Sequence, residues 1–511
     1  MPLPSYPPDL SGEWAHLHRR VRSTFTSSQR RGPVPGAEPG ASATDDGGAR
    51  RSASPAPEPT LTGVRDVRAL GAIGDGGTDD TGPLQAALDG AREDGGGVVW
   101  IPGGTYSVQA PPLRVHANTR IVLAPDAVVR RDGEGTLLTN GDPGQDPPAR
   151  TGHGRILLEG GVWDGNGRRV PAPASVLSFA HSLGITVRET VIRDVPGRHA
   201  VELVAVRCVR ITDVRCEGFT RAREGPSLSA AVRLAPARAG SGSGESGSGD
   251  DTPCSDVTVA GCSFGPARTP GDGPWPRGIS AHGAAPGRAD GDVRILGCHF
   301  ESCSAEAVHA FEGGRITVQG NTFLDCAGGV SVVSAADAEG PDARPPGRGD
   351  STGPPSSLSD VVVSGNVLTG TGGLPAIRCT GSPGAPVRRV TITANTVSGT
   401  RGSGILLEST EDAVVDANVL SRVGGDGVHV RGGGGLRVSA NRISGGAAYG
   451  IRVVARTRGL AVTGNGVDSL DAGLSVTGSC QDLVRYGNDL RGSGGLDDAS
   501  PDPVTDPGDL V

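Results

Sequence analysis

Lysine is missing altogether: the 48 basic residues among 511 are all arginines, which removes lysine from the list of catalytic bases. Aromatic residues reach only 3% and methionine occurs once, too few large side chains for a helical bundle. The first 60 residues contain no apolar run of about 7 to 15 residues, so the twin arginines Arg19 and Arg20 lack the hydrophobic region of a secretory signal. No stretch is long enough to span a membrane either, and with no signal peptide the expected location is cytoplasmic or non-classically exported. Clustered basic charge is lacking as well, and a formal net charge of −8 argues against a nucleic-acid backbone as the main partner. The nine cysteines show no CxxC spacing, which disfavours metal ribbons and thioredoxin-type sites, so they read as thiols packed inside.

What is present is glycine, 84 residues of it, and a repeat. Beyond Arg120 the chain returns about thirteen times to three alternating apolar positions, a small residue that is often Gly, and a further apolar residue. Seven copies carry an asparagine after the small residue: Asn321, Asn366, Asn395, Asn418, Asn441, Asn465 and Asn488, at steps of 45, 29, 23, 23, 24 and 23. Period-2 alternation recurring at such intervals marks a β-solenoid with one repeat per coil. An Asn at one turn of every coil can stack its amide on those above and below, which satisfies polar groups that are costly to bury. Cys262 and Cys298 occupy the same place in earlier copies. The expected fold is all-β: a single parallel β-helix with its coils about 4.8 Å apart, making a rod roughly 60 Å long.

Residues 1–60, rich in Pro, Ser, Gly and Arg, read as a disordered tail with one short helix near Leu10 to Thr24, and the acidic stretch 493–511 reads as a second disordered tail. The β-helix is expected over 61–492. Ahead of the repeats, Thr81 to Arg92 has Leu84, Leu88 and Ala91 on one face behind Asp80 or Thr81 as N-cap, and is expected to cap the open end of the solenoid.

The stretch GAIGDGGTDDTGPLQAALDGAREDGGGVVWIPGGTYSV resembles the N-terminal module of the pectate-lyase-like superfamily, which includes rhamnogalacturonase-like, epimerase-like and phage tailspike β-helices. The resemblance covers residues 61 to about 200 and implies a right-handed parallel β-helix. It also implies that Asp75, Asp79 and Asp80 serve the loop and helix cap. GGVWDGNGR, residues 160–168, is similar to a glycine-rich coil of polygalacturonase-like hydrolases, where Asp164 would fix a turn. The hydrolase set itself is missing: there is no Asn-Thr-Asp, Arg-Ile-Lys cannot occur without lysine, and Gly152-His153-Gly154 comes before the expected coils.

A second apolar strand lies between successive copies. Stacking these strands by their inward residues puts Glu202, Arg233, Ser280, His309, Ser331 and Arg378 in one outward column, with His282 and Phe311 in the next. Acid, base, cation and stacking groups on adjacent coils are what a saccharide groove needs. His282, Glu202, Arg233 and His309 are the catalytic candidates, and Ser280, Phe311, Glu306 and Arg378 the substrate-binding ones. PRGISAH, residues 276–282, also looks like a segment of polygalacturonase-related β-helices whose histidine faces the groove. The opposing reading is a set of coil-to-coil ion pairs on a solvated face, and the same holds for Asp426 and His429 farther along. No metal site is assigned: calcium needs several clustered carboxylates, and Glu202, Glu306 and Glu312 give it only weak support. Insertions after three of these strands, within 237–254, 285–291 and 336–357, would border the groove.

The expected function is action on an acidic or complex polysaccharide, as a lyase or a glycoside hydrolase. The alternative is a non-catalytic glycan-binding or structural β-helix of tailspike type. No nucleic-acid or membrane partner is expected, and homo-oligomerisation stays open.

Overall fold

The computed structural model describes residues 63–221, 229–237, 249–282, 291–311, 313–334, 357–446, 448–468, 471–477, 479–500, 504–505 and 508–511. Both the expected N-terminal tail with its short helix and most of the three insertions lie outside these residues, as does Glu312.

Each coil contributes three strands, seen for example in Arg315–Gln319, Thr322–Leu324 and Gly328–Val333. Every one of them pairs in parallel with its counterpart one coil on: Ile316 with Val361, Phe323 with Leu368, Val330 with Ile377. Repetition of this pairing builds a fourteen-stranded sheet from the short middle strands, while the two longer rows merge where Ile405–Asp416, Val428–Ser439 and Ile451–Thr463 each run through the corner without a break. Alternation sends every second residue inward, as in Ser255–Ala260, where Val257 and Val259 are buried. The interior is largely aliphatic, and Phe264, Phe300 and Phe323 stack on three successive coils at centroid spacings of 4.9 and 4.8 Å.

The asparagines form a continuous ladder. From Asn321 to Asn488 each Nδ2 donates to the Oδ1 of the next rung at 2.9–3.0 Å and to a carbonyl of the preceding coil. Each Oδ1 also accepts a backbone N–H, as Asn395 does from Asn366 at 3.0 Å. Both hydrogens of every buried amide are thereby used. The residue before each rung is left-handed, with φ of 65° at Gly320 and 54° at Ala417, which is why the repeat carries a small residue there, usually glycine. Cys298 continues the column upstream, its backbone N–H donating to Asn321 at 2.8 Å, and all nine cysteines are free.

Two expectations need correction. The 493–511 stretch is not a tail: Leu496–Asp498 pairs with Leu474–Val476, and Val504 pairs with Val484. Two of the carboxylates that gave it the look of a solvated segment, Asp498 and Asp509, are taken up internally. Arg485 donates to Asp498 at 2.9 Å and to Asp509 at 2.6 Å, and Asp509 accepts the last ladder hydrogen, from Asn488, at 2.9 Å. The second correction concerns the helix Thr81–Glu93, which covers the first coil through Leu84, Ala87, Leu88 and Ala91. Asp80 stands at its N-cap position but its side chain makes no capping bond, accepting instead from Ile73 (2.7 Å) and Gly74 (3.2 Å) to brace the preceding loop. Asp79 bonds the Thr81 N–H, at 3.0 Å.

Candidate functional site

The site lies on the row of strands Val201–Val204, Ala230–Ala235, Arg277–His282, Glu306–Phe311, Gly328–Val333 and Ile377–Thr380. Parallel pairing fixes one register down this row: Glu202 opposes Arg233, Arg233 opposes Ser280, then His309, Ser331 and Arg378 follow. His282 opposes Phe311 in the neighbouring column. The stacking inferred from inward apolar residues is the observed one, because a shift by a single residue would turn every valine of the row out of the core.

The column points away from the aliphatic interior, yet it is not the solvated face of the opposing reading. Glu202, Ser280, His309, Ser331, Glu306 and Phe311 are all buried. Solvent reaches the arginines, whose side chains are 26% (Arg233) and 25% (Arg378) exposed, and the half-buried His282. Glu202 accepts from Ser175 Oγ at 2.8 Å and from Arg233 Nη1 at 2.9 Å. Glu306 accepts from Arg277 Nη2 at 3.2 Å and from Arg378 Nη2 at 2.9 Å, and Arg378 also donates to Ser331 Oγ at 2.8 Å. Each buried carboxylate thus has its cation, as burial requires.

Between these two ion-pair clusters sit the rings. His282 Nε2 lies 2.8 Å from Ser280 Oγ, and its centroid is 6.4 Å from that of His309 and 6.1 Å from Phe311. Burial, then Arg233, His309 and Arg277, hold the His282 imidazole well below its ordinary pKa, so it is neutral at pH 7. His199 and Arg277 belong to the same cluster and escaped the sequence reading. His199 Nδ1 is 2.8 Å from the Ala230 carbonyl oxygen, and burial lowers its pKa to about 4, opposed by Glu202 and assisted by Arg233. His199 lies in the turn before Val201–Val204 and Arg277 is the first residue of its strand, so the outward column did not include them. Burial raises the Glu306 carboxyl, but Arg277, His309 and Arg378 together bring it below its ordinary value.

Two other readings can be placed. Asp164 Oδ1 accepts the Asn166 N–H at 2.8 Å, fixing the turn, and its Oδ2 holds Arg193 at 2.9 and 2.8 Å. Asp426 and His429 do meet, at 2.9 Å between Oδ2 and Nδ1, two coils beyond Arg378 on the same column.

Residues 64–143 match the family model described as rhamnogalacturonase A/epimerase, pectate lyase-like, and residues 375–495 match the right-handed β-helix region model. These matches and the paired coils show a right-handed parallel β-helix with a pectate-lyase-like N-terminal module. Among curated proteins, mannuronan C5-epimerase AlgE3 of Azotobacter vinelandii is 52% identical over 42 residues, 8% of this chain and 2% of that protein. Alginate lyase 7 of the same organism is 55% identical over 42 residues, 8% of this chain and 5% of that protein. The match therefore spans a small part of the length of these relatives. Among solved structures, the surface adhesin PfbA of Streptococcus pneumoniae superposes with a TM-score of 0.56 at 17% identity, over 85% of this chain and 91% of that one, a likeness of fold. No helix among the described residues is long and apolar enough to cross a membrane.

Proposed function

We propose that the chain acts on an acidic polysaccharide by removing the proton α to a sugar carboxylate, leading to β-elimination or to inversion at that carbon. The observation that carries this reading is a neutral, half-buried His282 one coil from Arg233, whose guanidinium reaches solvent. A base must be unprotonated at working pH, and a carbon acid next to a carboxylate ionises only if the charge spreading onto that carboxylate is stabilised. In this reading His282 takes the proton, with Ser280 orienting the ring. Arg233, one coil from His282, binds the carboxylate of the reacting sugar, Arg378 binds that of a sugar farther along the groove, and Glu202 and Glu306 hold those arginines in place. His309 and Phe311 form the wall beside the ring. In elimination the C–H electrons form the double bond and the bond to the leaving oxygen breaks. In inversion a proton from solvent is added on the opposite face, and His282 gives up its own to solvent. Short-range similarity to an epimerase and to a lyase supports the same class of step.

Hydrolysis is less well supported. It asks for one carboxyl kept protonated as general acid, whereas Glu306 is drawn below its ordinary value and Glu202 is committed to Arg233. The arginines supply the charge that calcium would otherwise bring, so the reading requires no cofactor. A second reading, glycan binding without turnover, draws on the same ion pairs: cations already satisfied by buried carboxylates can hold a surface without doing chemistry.

The experiment is incubation of the purified protein with uronate-containing and neutral polysaccharides, with and without calcium. Unsaturated-uronate absorbance, new reducing ends and sugar stereochemistry by NMR are followed together, for the native chain and for His282→Gln. Absorbance or inversion that the variant lacks supports the proposal. Reducing ends alone would replace it with hydrolysis, and silence with retained binding would replace it with the second reading.

A further inference from the structure

The Gly152-His153-Gly154 segment has no place in that site, and the structure puts its histidine elsewhere. His116 follows the strand Leu113–Val115, and Asp142 follows Leu138–Asn140, the strand paired with it one coil on. His153 lies in the segment that leads into Ile156–Glu159. The three side chains converge, one nitrogen or oxygen from each lying within 4.8 Å of the others. His116 Nε2 is 2.9 Å from Asp142 Oδ1, and the two imidazoles meet edge to face at 4.7 Å between centroids. His116 is 2% exposed and its Nδ1 is buried with no hydrogen-bond partner. The nitrogen that faces the carboxylate is Nε2, and two imidazoles facing one carboxylate have no structural need of one another.

We infer that His116, Asp142 and His153 form a binding site for a zinc-like first-row divalent ion. Two nitrogens and one oxygen suit such an ion, whereas calcium and magnesium prefer an all-oxygen shell. Tetrahedral zinc at about 2.0–2.1 Å from its ligands sets them about 3.3 Å apart. The His116–Asp142 pair, at 2.9 Å, has to open slightly to reach that spacing, and the half-buried His153 has to close in. Around the ligands, Arg92 holds Asp142 through both oxygens at 2.9 Å, and Gln145 Nε2 donates to Oδ2 at 2.9 Å, outer contacts of the kind that orient a metal-binding carboxylate. An ion here joins the first coil, its neighbour and the loop between 141 and 155, so it would fasten the N-terminal end of the solenoid far from the chemistry proposed above.

The test uses the untagged full chain, stripped with a chelator, then dialysed against micromolar zinc for metal analysis and loaded with cobalt for its visible spectrum. Expected are about one ion per chain, an intense four-coordinate cobalt spectrum and a higher melting temperature with zinc. His153→Gln and Asp142→Asn should each weaken zinc binding at least tenfold, while His299→Gln, at a half-buried histidine outside this cluster, should leave it unchanged. No zinc uptake by the native chain, a pale six-coordinate cobalt spectrum, or undiminished binding in a folded His153→Gln protein would each overturn the inference. None of these readouts depends on polysaccharide turnover.

Discussion

His199 takes up a proton only at a pKa of about 4, against 6.5 for a free imidazole, because burial disfavours the cation. With the folded value below the free one, the unfolded chain protonates first. Stability is therefore unaffected above pH 6.5 and falls as pH drops from 6.5 towards 4, by about 3 kcal/mol for this group. Urea unfolding at pH 7 and pH 4.5 should show a loss that His199→Gln reduces. The left-handed rung positions give a prediction of opposite sign. Ala417 has φ of 54°, where an L side chain costs about 1–2 kcal/mol, while glycine's extra freedom when unfolded costs about 0.5–1. Ala417→Gly should thus stabilise the protein by about 0.5 kcal/mol, measurable as a small upward shift of the denaturant midpoint.

Strands and ladders carry larger effects. Replacing Asn418 by alanine leaves the side-chain and backbone N–H groups of Asn395 without their acceptor and Asn441 Oδ1 short of one donor, in the buried interior. At about 1–3 kcal/mol per orphaned group, the loss should be about 2–5 kcal/mol, seen in the melting temperature. Phe300→Ala opens the middle of the aromatic stack and should cost about 3–5 kcal/mol. Both elements show why the coils were legible in the sequence: the asparagine step and the alternation of Val257, Val259, Val361 and Val363 are local, periodic and repeated. The column Glu202–Arg233–Ser280–His309 could be aligned for the same reason, since the apolar residues on either side fix its register. Burial could not be read this way. Whether Glu202 faces water depends on neighbours such as Ser175 and Arg233, 27 residues before it and 31 after it in the chain. The convergence of His116, Asp142 and His153 was hidden too, because two of the three come from loops that no periodicity governs.

Over the whole molecule, the solenoid must finish its edges. The helix Thr81–Glu93 covers one end, and the residues after 492 supply pairing at the other. Deleting 493–511 should expose the edges of Leu474–Val476 and Gln481–Tyr486, lower the melting temperature and promote edge-to-edge association, visible as a concentration-dependent rise in apparent mass. Within that terminal segment Asp509 has a particular place. Every rung from Asn321 to Asn488 hands its amide hydrogen to the rung that follows it in the chain, so the ladder has a direction as well as a length. A coil emerging in N-to-C order leaves one hydrogen waiting until its successor is made. Asn and Asp have nearly the same shape, and exchanging the NH2 group for an oxygen yields a rung that receives without handing on. At residue 509 a one-atom difference in chemistry brings the relay to a stop.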